Sequence, residues 1–378
     1  MTASDQERYA PGKHPSLPPP VRTSGPIGWI RENLLSSPGN VLLTILSVAI
    51  LLYIVPAFLQ WALFEATWRG VTREPCTTPD GVDLEGACWT MVNARFEQFM
   101  YGFYPEGQRW RVDLAFLLQF GSFFALLIER VPGKKWTAIF LFLIYPIIGY
   151  ALFHGGIFGL PVVETRLWGG LMLTLIIATV SITVSVPLGI LLALGRRSNL
   201  PVIRVLCITF IEFVRAVPLI TVLFMSSVML PLFLPVGVSF DKLLRALVGF
   251  SLFAAAYMAE VVRGGLQAMP RGQYEGAMAL GLGYWKMMGL IILPQALRIV
   301  IPGMVNTFIG LFKDTSLVSI IGLFDLLNIV QAGTRDAQWR GLANEGYLFA
   351  AVIYFMFCFA MSRYSISLER KLHTGYKR

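Results

Sequence analysis

Long apolar stretches recur along the chain, separated by short polar segments. Residues 33–64 carry no charged side chain, and seven further apolar stretches follow before the end of the sequence. About 20 mainly apolar residues are needed to cross the hydrocarbon core of a membrane. The pattern therefore predicts eight spanning helices, at about 41–62, 112–129, 136–153, 168–194, 203–230, 243–262, 300–323 and 346–367.

The composition supports this interpretation. Hydrophobic residues make up 56% of the chain and charged residues 14%, and the mean hydropathy is +0.65. A soluble domain averages roughly 25% charged residues. A globule of this size would have too little polar surface to be soluble in water. We therefore predict an all-α integral membrane protein.

The predicted spans divide the chain into three parts. Residues 1–40 are polar and rich in proline, so we predict a disordered cytoplasmic tail. Residues 41–166 hold the first three spans and a long periplasmic loop at 63–111. Residues 167–378 hold the other five spans and a long cytoplasmic loop at 263–299.

The distribution of basic residues predicts the orientation of the spans. Roughly two thirds of the 31 Lys and Arg residues fall in the two terminal segments and in the loops on the same side as them. Because cytoplasmic loops are enriched in Lys and Arg, both termini are predicted to be cytoplasmic in a multi-pass protein of a bacterial inner membrane. The net charge of +9 then follows from topology, and we predict a lipid environment and no nucleic-acid partner.

Cys76 and Cys88 both fall in the predicted periplasmic loop. An oxidising compartment would permit a disulfide between them, and two unpaired thiols are the alternative. The chain has four cysteines and three histidines, scattered without the spacing of a metal-ligand framework, so no metal site is predicted.

Motifs of enzymes are missing from the sequence. It contains no zinc-binding His-Glu-x-x-His helix, no Gly-x-Ser-x-Gly nucleophile turn and no phosphate-binding Gly-x-x-x-x-Gly-Lys-Ser/Thr loop. We predict a transporter rather than an enzyme, with no catalytic residue and no cofactor in this chain. If the protein pumps, a separate subunit must hydrolyse ATP.

The loop at 263–299 has an unusual composition for a connection. It is rich in Ala, Leu, Met and Gly, and it predicts a short helix at 272–280 that ends at Gly281. A second short helix is predicted at 284–292, ending before Pro294. Composition alone leaves two explanations open: a docking site for another protein, or an amphipathic loop on lipid headgroups.

A spaced motif in this loop is similar to the EAA motif of ABC importer permeases, E-A-A-x3-G-x9-I-x-L-P. Glycine replaces the usual alanine at its second position. Segments at 210–219, 256–265 and 313–317 also resemble that family, in its polar amino-acid branch, and the extra N-terminal spans resemble the M-type permease subunits of general L-amino-acid importers. The motif residues are Glu275, Gly276, Ala277, Gly281, Ile291, Leu293 and Pro294.

This resemblance implies a type I ABC importer permease core of five helices within 167–378. It also implies that the EAA loop couples the permease to a dimer of cytoplasmic ABC ATPases. The expected partners are a second, related permease subunit in a heterodimeric pore and a periplasmic amino-acid-binding protein. The expected function is ATP-driven import of L-amino acids with broad specificity. The alternative is a self-contained secondary amino-acid transporter or channel.

Four of the charged residues inside predicted spans are candidates for a functional role: Glu212, Arg215, Lys313 and Asp314. Each costs about 2.5–3.5 kcal/mol at the bilayer centre, so each needs a partner or a wet cavity. Glu212 and Arg215 share a helix face and are expected to neutralise one another near mid-membrane. Lys313 and Asp314 diverge by about 100° and are expected to find partners on the fifth span. Together the four form either a substrate path for a zwitterion or structural ion pairs.

Overall fold

The computed structural model describes residues 25–77, 85–128, 130–157, 159–235, 237–238 and 240–373, and these are almost entirely helical. One two-residue strand, β1, lies at Phe324–Asp325. The helices are α1 (Gly25–Asn33), α2 (Pro38–Leu59), α3 (Thr90–Tyr101), α4 (Arg109–Leu127), α5 (Lys134–Ile139), α6 (Tyr145–His154), α7 (Gly170–Arg196), α8 (Pro201–Ala216), α9 (Leu219–Phe224), α10 (Lys242–Ala268), α11 (Arg271–Ala279), α12 (Tyr284–Met287), α13 (Leu293–Asp314), α14 (Leu326–Thr334) and α15 (Ala343–His373).

The prediction of an all-α membrane protein is confirmed. Among the described residues, seven helices are long and apolar enough to cross a membrane, or eight if one bent pair counts as a single span. The span with the most polar sequence is present at Glu106–Leu127. Its Gln119 is buried and accepts a hydrogen bond from the Tyr145 hydroxyl (3.2 Å). A polar side chain inside a span is tolerated because a neighbouring helix supplies its partner.

The fifth span is broken, which contradicts the single helix predicted at 203–230. α8 ends at Ala216, and the chain turns by 106° into the helical segment Leu219–Phe233. Val217 is extended (φ −99°, ψ 134°). The ring of Pro218 disfavours a helical conformation at the preceding residue, which explains why the helix ends there.

The loop at 263–299 is shorter in the structure than the sequence indicated. α10 continues to Ala268, and the next span runs from Tyr284 to Ile321. Residues 284–292 are helical as predicted, but the predicted end of that helix before Pro294 is wrong, because it continues into the spanning helix. A π-helical turn at Met288–Ile292 joins α12 to α13, and Pro294 stands in the first turn of α13, where its missing N–H costs no hydrogen bond. The connection between the two spans is residues 269–283.

The chain divides into two compact units, Met1–Trp68 with Cys76–Cys88, and Arg69–Pro75 with Trp89–Arg378. In the first unit, Cys76 and Cys88 form a disulfide with 5.7 Å between their Cα atoms. Residues 1–24 of the predicted tail lie outside the described residues. The remainder of that predicted tail is ordered into α1 and the start of α2, where Ser37 accepts a capping hydrogen bond from the Asn40 amide.

The second unit is built around α7 and α10. Two contacts show that the helices run parallel. Thr165, just before α7, bonds Asp241 at the start of α10. At the other end, Arg196 of α7 bonds Glu260 near the end of α10. A Cβ at Gly189 would lie 2.7 Å from Met258. Small residues let two membrane helices approach closely, and α10 accordingly carries a fully buried set of alanines: Ala254, Ala255, Ala256 and Ala259.

Asp325 fixes the start of α14 at the end of the unit opposite the 269–283 connection. Its fully buried carboxylate accepts hydrogen bonds from the amides of Leu327 and Asn328 and from the Tyr354 hydroxyl. Burial raises the pKa of Asp325 to about 6. The carboxylate therefore joins α14 to α15 in a site that disfavours its charge.

We expect the stability of the protein to depend on pH through Asp325. Because its pKa is about 6 in the folded state and about 3.9 in the unfolded state, its stabilising contribution is complete below pH ~4 and is lost as pH rises through ~6. Asp325→Asn keeps a capping side chain but does not titrate. As the pH rises from ~4 to ~7, the thermal unfolding midpoint in detergent should decrease more for the wild type than for the variant. Equal decreases in the two proteins would contradict the raised pKa of Asp325.

Candidate functional site

The connection 269–283 is held firmly against the ends of α7 and α10. Tyr274 in α11 donates a hydrogen bond from its hydroxyl to the Leu266 carbonyl (3.2 Å). Arg197, which follows α7, donates to the same carbonyl (3.0 Å) and to the Tyr274 hydroxyl (3.2 Å). Its guanidinium lies 5.7 Å from the centre of the Tyr274 ring. α11 is thus fixed to two spanning helices at once.

Ala277 anchors the other side of α11. It is buried in an apolar cluster with Leu266, Met287 and Ile292. The motif residues Ile291 and Leu293 are partly buried and pack against the same cluster, and Pro294 is exposed. The small side chain of Ala277 allows α11 to lie close to the spanning helices, so α11 cannot move independently of them.

Gly281 forms the turn that ends α11. Its φ of +70° is a left-handed conformation that favours glycine. The Leu282 amide donates to the Ala277 carbonyl (3.2 Å) and the Gly281 amide to the Met278 carbonyl (2.9 Å), the pattern of a Schellman cap. Gly276, by contrast, lies in the exposed helix with open space around it. Of the two glycines, the backbone requires only Gly281.

The outer side of the connection presents an acidic residue among apolar ones. Glu275 is exposed and has no salt-bridge partner among the described residues. Met278, Leu280 and Trp285 are 58%, 77% and 71% exposed. Exposed apolar groups of this size beside a charge are typical of a surface that contacts another protein or the membrane. We call Glu275, Met278, Leu280 and Trp285 the coupling surface.

Charged side chains form a network beside this connection. Glu260 of α10 contacts Arg196 of α7 (2.8 Å), Arg215 of α8 (3.6 Å) and Arg263 one turn along α10 (2.8 Å). Arg196 also contacts Glu212 of α8 (2.7 Å). We call these five residues the Glu260 cluster. The Arg215 guanidinium in addition lies 5.5 Å from the centre of the Tyr257 ring.

The expected pairing of Glu212 with Arg215 is wrong. The two side chains lie on α8 but bind different partners, Arg196 and Glu260. The cluster also lies at the last residue of α7 rather than at mid-span, because Arg196 ends that helix. Sequence reasoning missed Glu260 although it lay inside the predicted span 243–262, where an acid needs a partner.

Lys313 and Asp314 lie away from this cluster and without the predicted partners on the fifth span. Within the described ranges neither takes part in a salt bridge, and Lys313 is exposed while Asp314 is half-buried. Gly303 of α13 packs against Val261 of α10, since a Cβ at Gly303 would lie 3.3 Å from the Val261 side chain. Glu260, the residue before Val261, therefore lies at the height of Gly303 along α13. Lys313 is ten residues further along, about 15 Å at 1.5 Å per residue. The four charges therefore do not form one polar centre.

No group of three or more His, Cys, Asp or Glu residues positioned to hold a metal ion occurs in the part of the chain that the structure describes. A rigid helical elbow carries the coupling surface, and an ion-pair network at its base joins three spanning helices.

Comparison with known proteins identifies two relatives that match this chain over nearly its whole length. The chain is 56% identical over 362 residues to the inner membrane amino-acid ABC transporter permease protein YhdY of Escherichia coli K12, covering 96% of this chain and 97% of that protein. It is 40% identical over 423 residues to the glutamate/glutamine/aspartate/asparagine transport system permease protein BztC of Rhodobacter capsulatus, with 95% and 96% covered.

A shorter relative matches only part of the chain. The glutamate/aspartate import permease protein GltK of Escherichia coli O6:H1 is 36% identical over 208 residues, which is 53% of this chain and 91% of that protein. The resemblance to ABC importer permeases is confirmed. Residues 185–373 match the family described as the binding-protein-dependent transport system inner membrane component, and the chain belongs to that family.

Proposed function

We propose that this chain is a permease subunit of an ATP-driven importer that carries L-amino acids, with broad specificity, across a bacterial inner membrane. Its full-length relatives are amino-acid permeases, and one is named for four different amino acids. The observation that carries the proposal is the coupling surface. It is a rigid, exposed, apolar and acidic elbow joined directly to the spanning helices.

ATP hydrolysis would be supplied by a separate pair of cytoplasmic ATPases that contact the coupling surface. A motor can tilt the spanning helices only if the connection between them is stiff. The Schellman cap at Gly281, the buried Ala277 and the bonds of Arg197 supply that stiffness. The second candidate function is a self-contained secondary transporter or channel, which would have no ATPase to bind Glu275. The coupling surface therefore favours the importer.

In this proposal the 269–283 connection and both termini face the cytoplasm, as the distribution of Lys and Arg favours. A periplasmic binding protein would deliver the amino acid to the opposite end of the spans. The translocation path would lie between this chain and a second, related permease subunit.

The ion pairs help to distinguish structural residues from candidates for contact with the substrate. Glu212 and Arg215 each have an oppositely charged partner, and we assign them a structural role. Asp314 is half-buried and has no ionic partner among the described residues, so it is the stronger candidate for contact with the ammonium group of an amino acid. Lys313 next to it would attract the carboxylate.

Purification of the native assembly tests the proposal. We expect this chain to co-purify with a P-loop ATPase and a second permease. With the binding protein present, several different L-amino acids should each stimulate ATP turnover. Stimulation by a single amino acid would contradict broad specificity. Uptake by the purified chain alone would contradict the importer and favour a secondary carrier.

A further inference from the structure

The Glu260 cluster links the three helices that any movement of the coupling surface must displace. Glu260 bonds one arginine on each of α7, α8 and α10, and its side chain is 15% exposed. The one other acid–base contact of the cluster, Arg196–Glu212, joins α7 to α8. Removing the Glu260 charge would therefore leave α8 and α10 without a salt bridge among the described residues, while the contact of Arg215 with the Tyr257 ring would remain.

Two successive residues connect the cluster to α11. Arg196 binds Glu260 and Glu212, and the next residue, Arg197, binds the Leu266 carbonyl and Tyr274. A displacement of α11 would pull on Arg197 and so on the end of α7. Arg196 lies at the same end of α7, so a movement of this end would also move Arg196 relative to its partner Glu260.

The helix on the far side of the cluster is the broken one. Arg215 is the penultimate residue of α8, immediately before the 106° bend at Val217 and Pro218. A bend with no helical hydrogen bonds across it is a natural hinge, since a few residues can absorb the change in backbone angles. The Arg215–Glu260 contact therefore holds the end of α8 next to this bend against α10.

We propose that Glu260 is a positioning residue that passes the movement of the coupling surface to the hinge between α8 and α9. The proposal rests on the proposed function, because it requires an ATPase that moves the coupling surface. Glu260 contacts neither nucleotide nor amino acid in this account. It acts by holding Arg196 and Arg215 at a fixed separation, so that one end of α7 and one end of α8 move together.

The test measures amino acid transported per ATP hydrolysed in proteoliposomes that contain the whole assembly. Glu260→Gln keeps the shape of the side chain and removes its charge. We expect the ratio to fall by about 10-fold or more, within the usual range of coupling between sites. Basal ATP hydrolysis and the amount of bound ATPase should be unchanged. Glu260→Asp restores the charge and should recover most of the ratio.

The matched control is Glu212→Gln, the same change at the other acid that binds Arg196. Glu212 is 53% exposed and does not reach α10, so the ratio should stay within about 3-fold of wild type. If Glu260→Gln does not assemble, Arg215→Gln removes the contacts of this α8 residue with Glu260 and with the Tyr257 ring, and it should give the same loss of ratio. The concentration of amino acid at half-maximal uptake should not change, which separates this role from substrate binding.

A wild-type ratio in Glu260→Gln or Arg215→Gln would overturn the proposal. Transport and hydrolysis that fall in parallel would also overturn it, since that result indicates a structural role. Failure of the proposed function would be seen differently, as a wild-type assembly whose uptake does not require ATP. The two failures are therefore distinguishable in one set of measurements.

Discussion

Replacing Gly281 with valine should release the ATPase from this chain while leaving the spanning helices folded. The residue has a φ of +70°, and a left-handed conformation costs a residue with a Cβ about 1–2 kcal/mol, with more for a β-branched side chain. The Schellman cap would open and α11 would lose its fixed direction. We expect the ATPase recovered per permease on purification to fall by about 10-fold or more, a loss of ~1.4 kcal/mol in binding.

Gly276→Ala is the control for this change. It introduces a Cβ in the same short helix, where open space and ordinary helical backbone tolerate it. Alanine is favoured over glycine in a helix by about 1 kcal/mol, so α11 should be as stable or more stable. Equal ATPase recovery with both variants would show that the turn at Gly281 is unnecessary for coupling. A lower unfolding midpoint of the isolated Gly281→Val permease would show that the effect is general instability.

Replacing Gly189 with leucine should strongly destabilise the second unit. A Cβ at this position would lie 2.7 Å from the Cβ and Cγ atoms of Met258 and 3.1 Å from the Ala259 amide nitrogen. The Cβ and Cγ atoms of Met258 are close to its backbone and fully buried, so they cannot move away from the new side chain. α7 and α10 would therefore have to move apart at the centre of the core. Overpacking of a core costs typically 1–3 kcal/mol, and the backbone contact here places the cost at about 3 kcal/mol or more.

The same substitution at Gly310 of α13 is the control. A Cβ there has no neighbouring atom within 4 Å, so leucine should be accepted. Folded protein can be measured as the monodisperse fraction after extraction in mild detergent, together with its unfolding midpoint. Similar yields and midpoints for the Gly189 and Gly310 variants would contradict the assignment of α7 and α10 as the closely packed centre.

The spans could be predicted from the sequence because each has a long apolar stretch, and hydrophobic thickness determines its length. The bend in the fifth span could have been predicted from Pro218, whose ring restricts Val217. The continuity of α12 into α13 could not. A proline often ends a helix, yet here the π-helical turn Met288–Ile292 leads directly into α13 at Pro294.

The candidate site was predicted in part. The composition of the loop and the glycine at 281 predicted a short helix at 272–280, close to α11, because a glycine after a helix is a local signal. The partners of the internal charges depend on how helices distant in sequence pack together. Arg196 reaches Glu260 across 64 positions, and no local spacing indicates that pair. For this reason the local pairing of Glu212 with Arg215 was the natural expectation and was wrong.

The most direct test of the coupling account is amino-acid uptake into proteoliposomes with the ATPase present, absent or inactivated in its phosphate-binding loop. The account predicts uptake only when an ATPase that hydrolyses ATP is bound and the binding protein is supplied. Uptake that continues at the same rate without the ATPase, driven by an ion gradient, would contradict it.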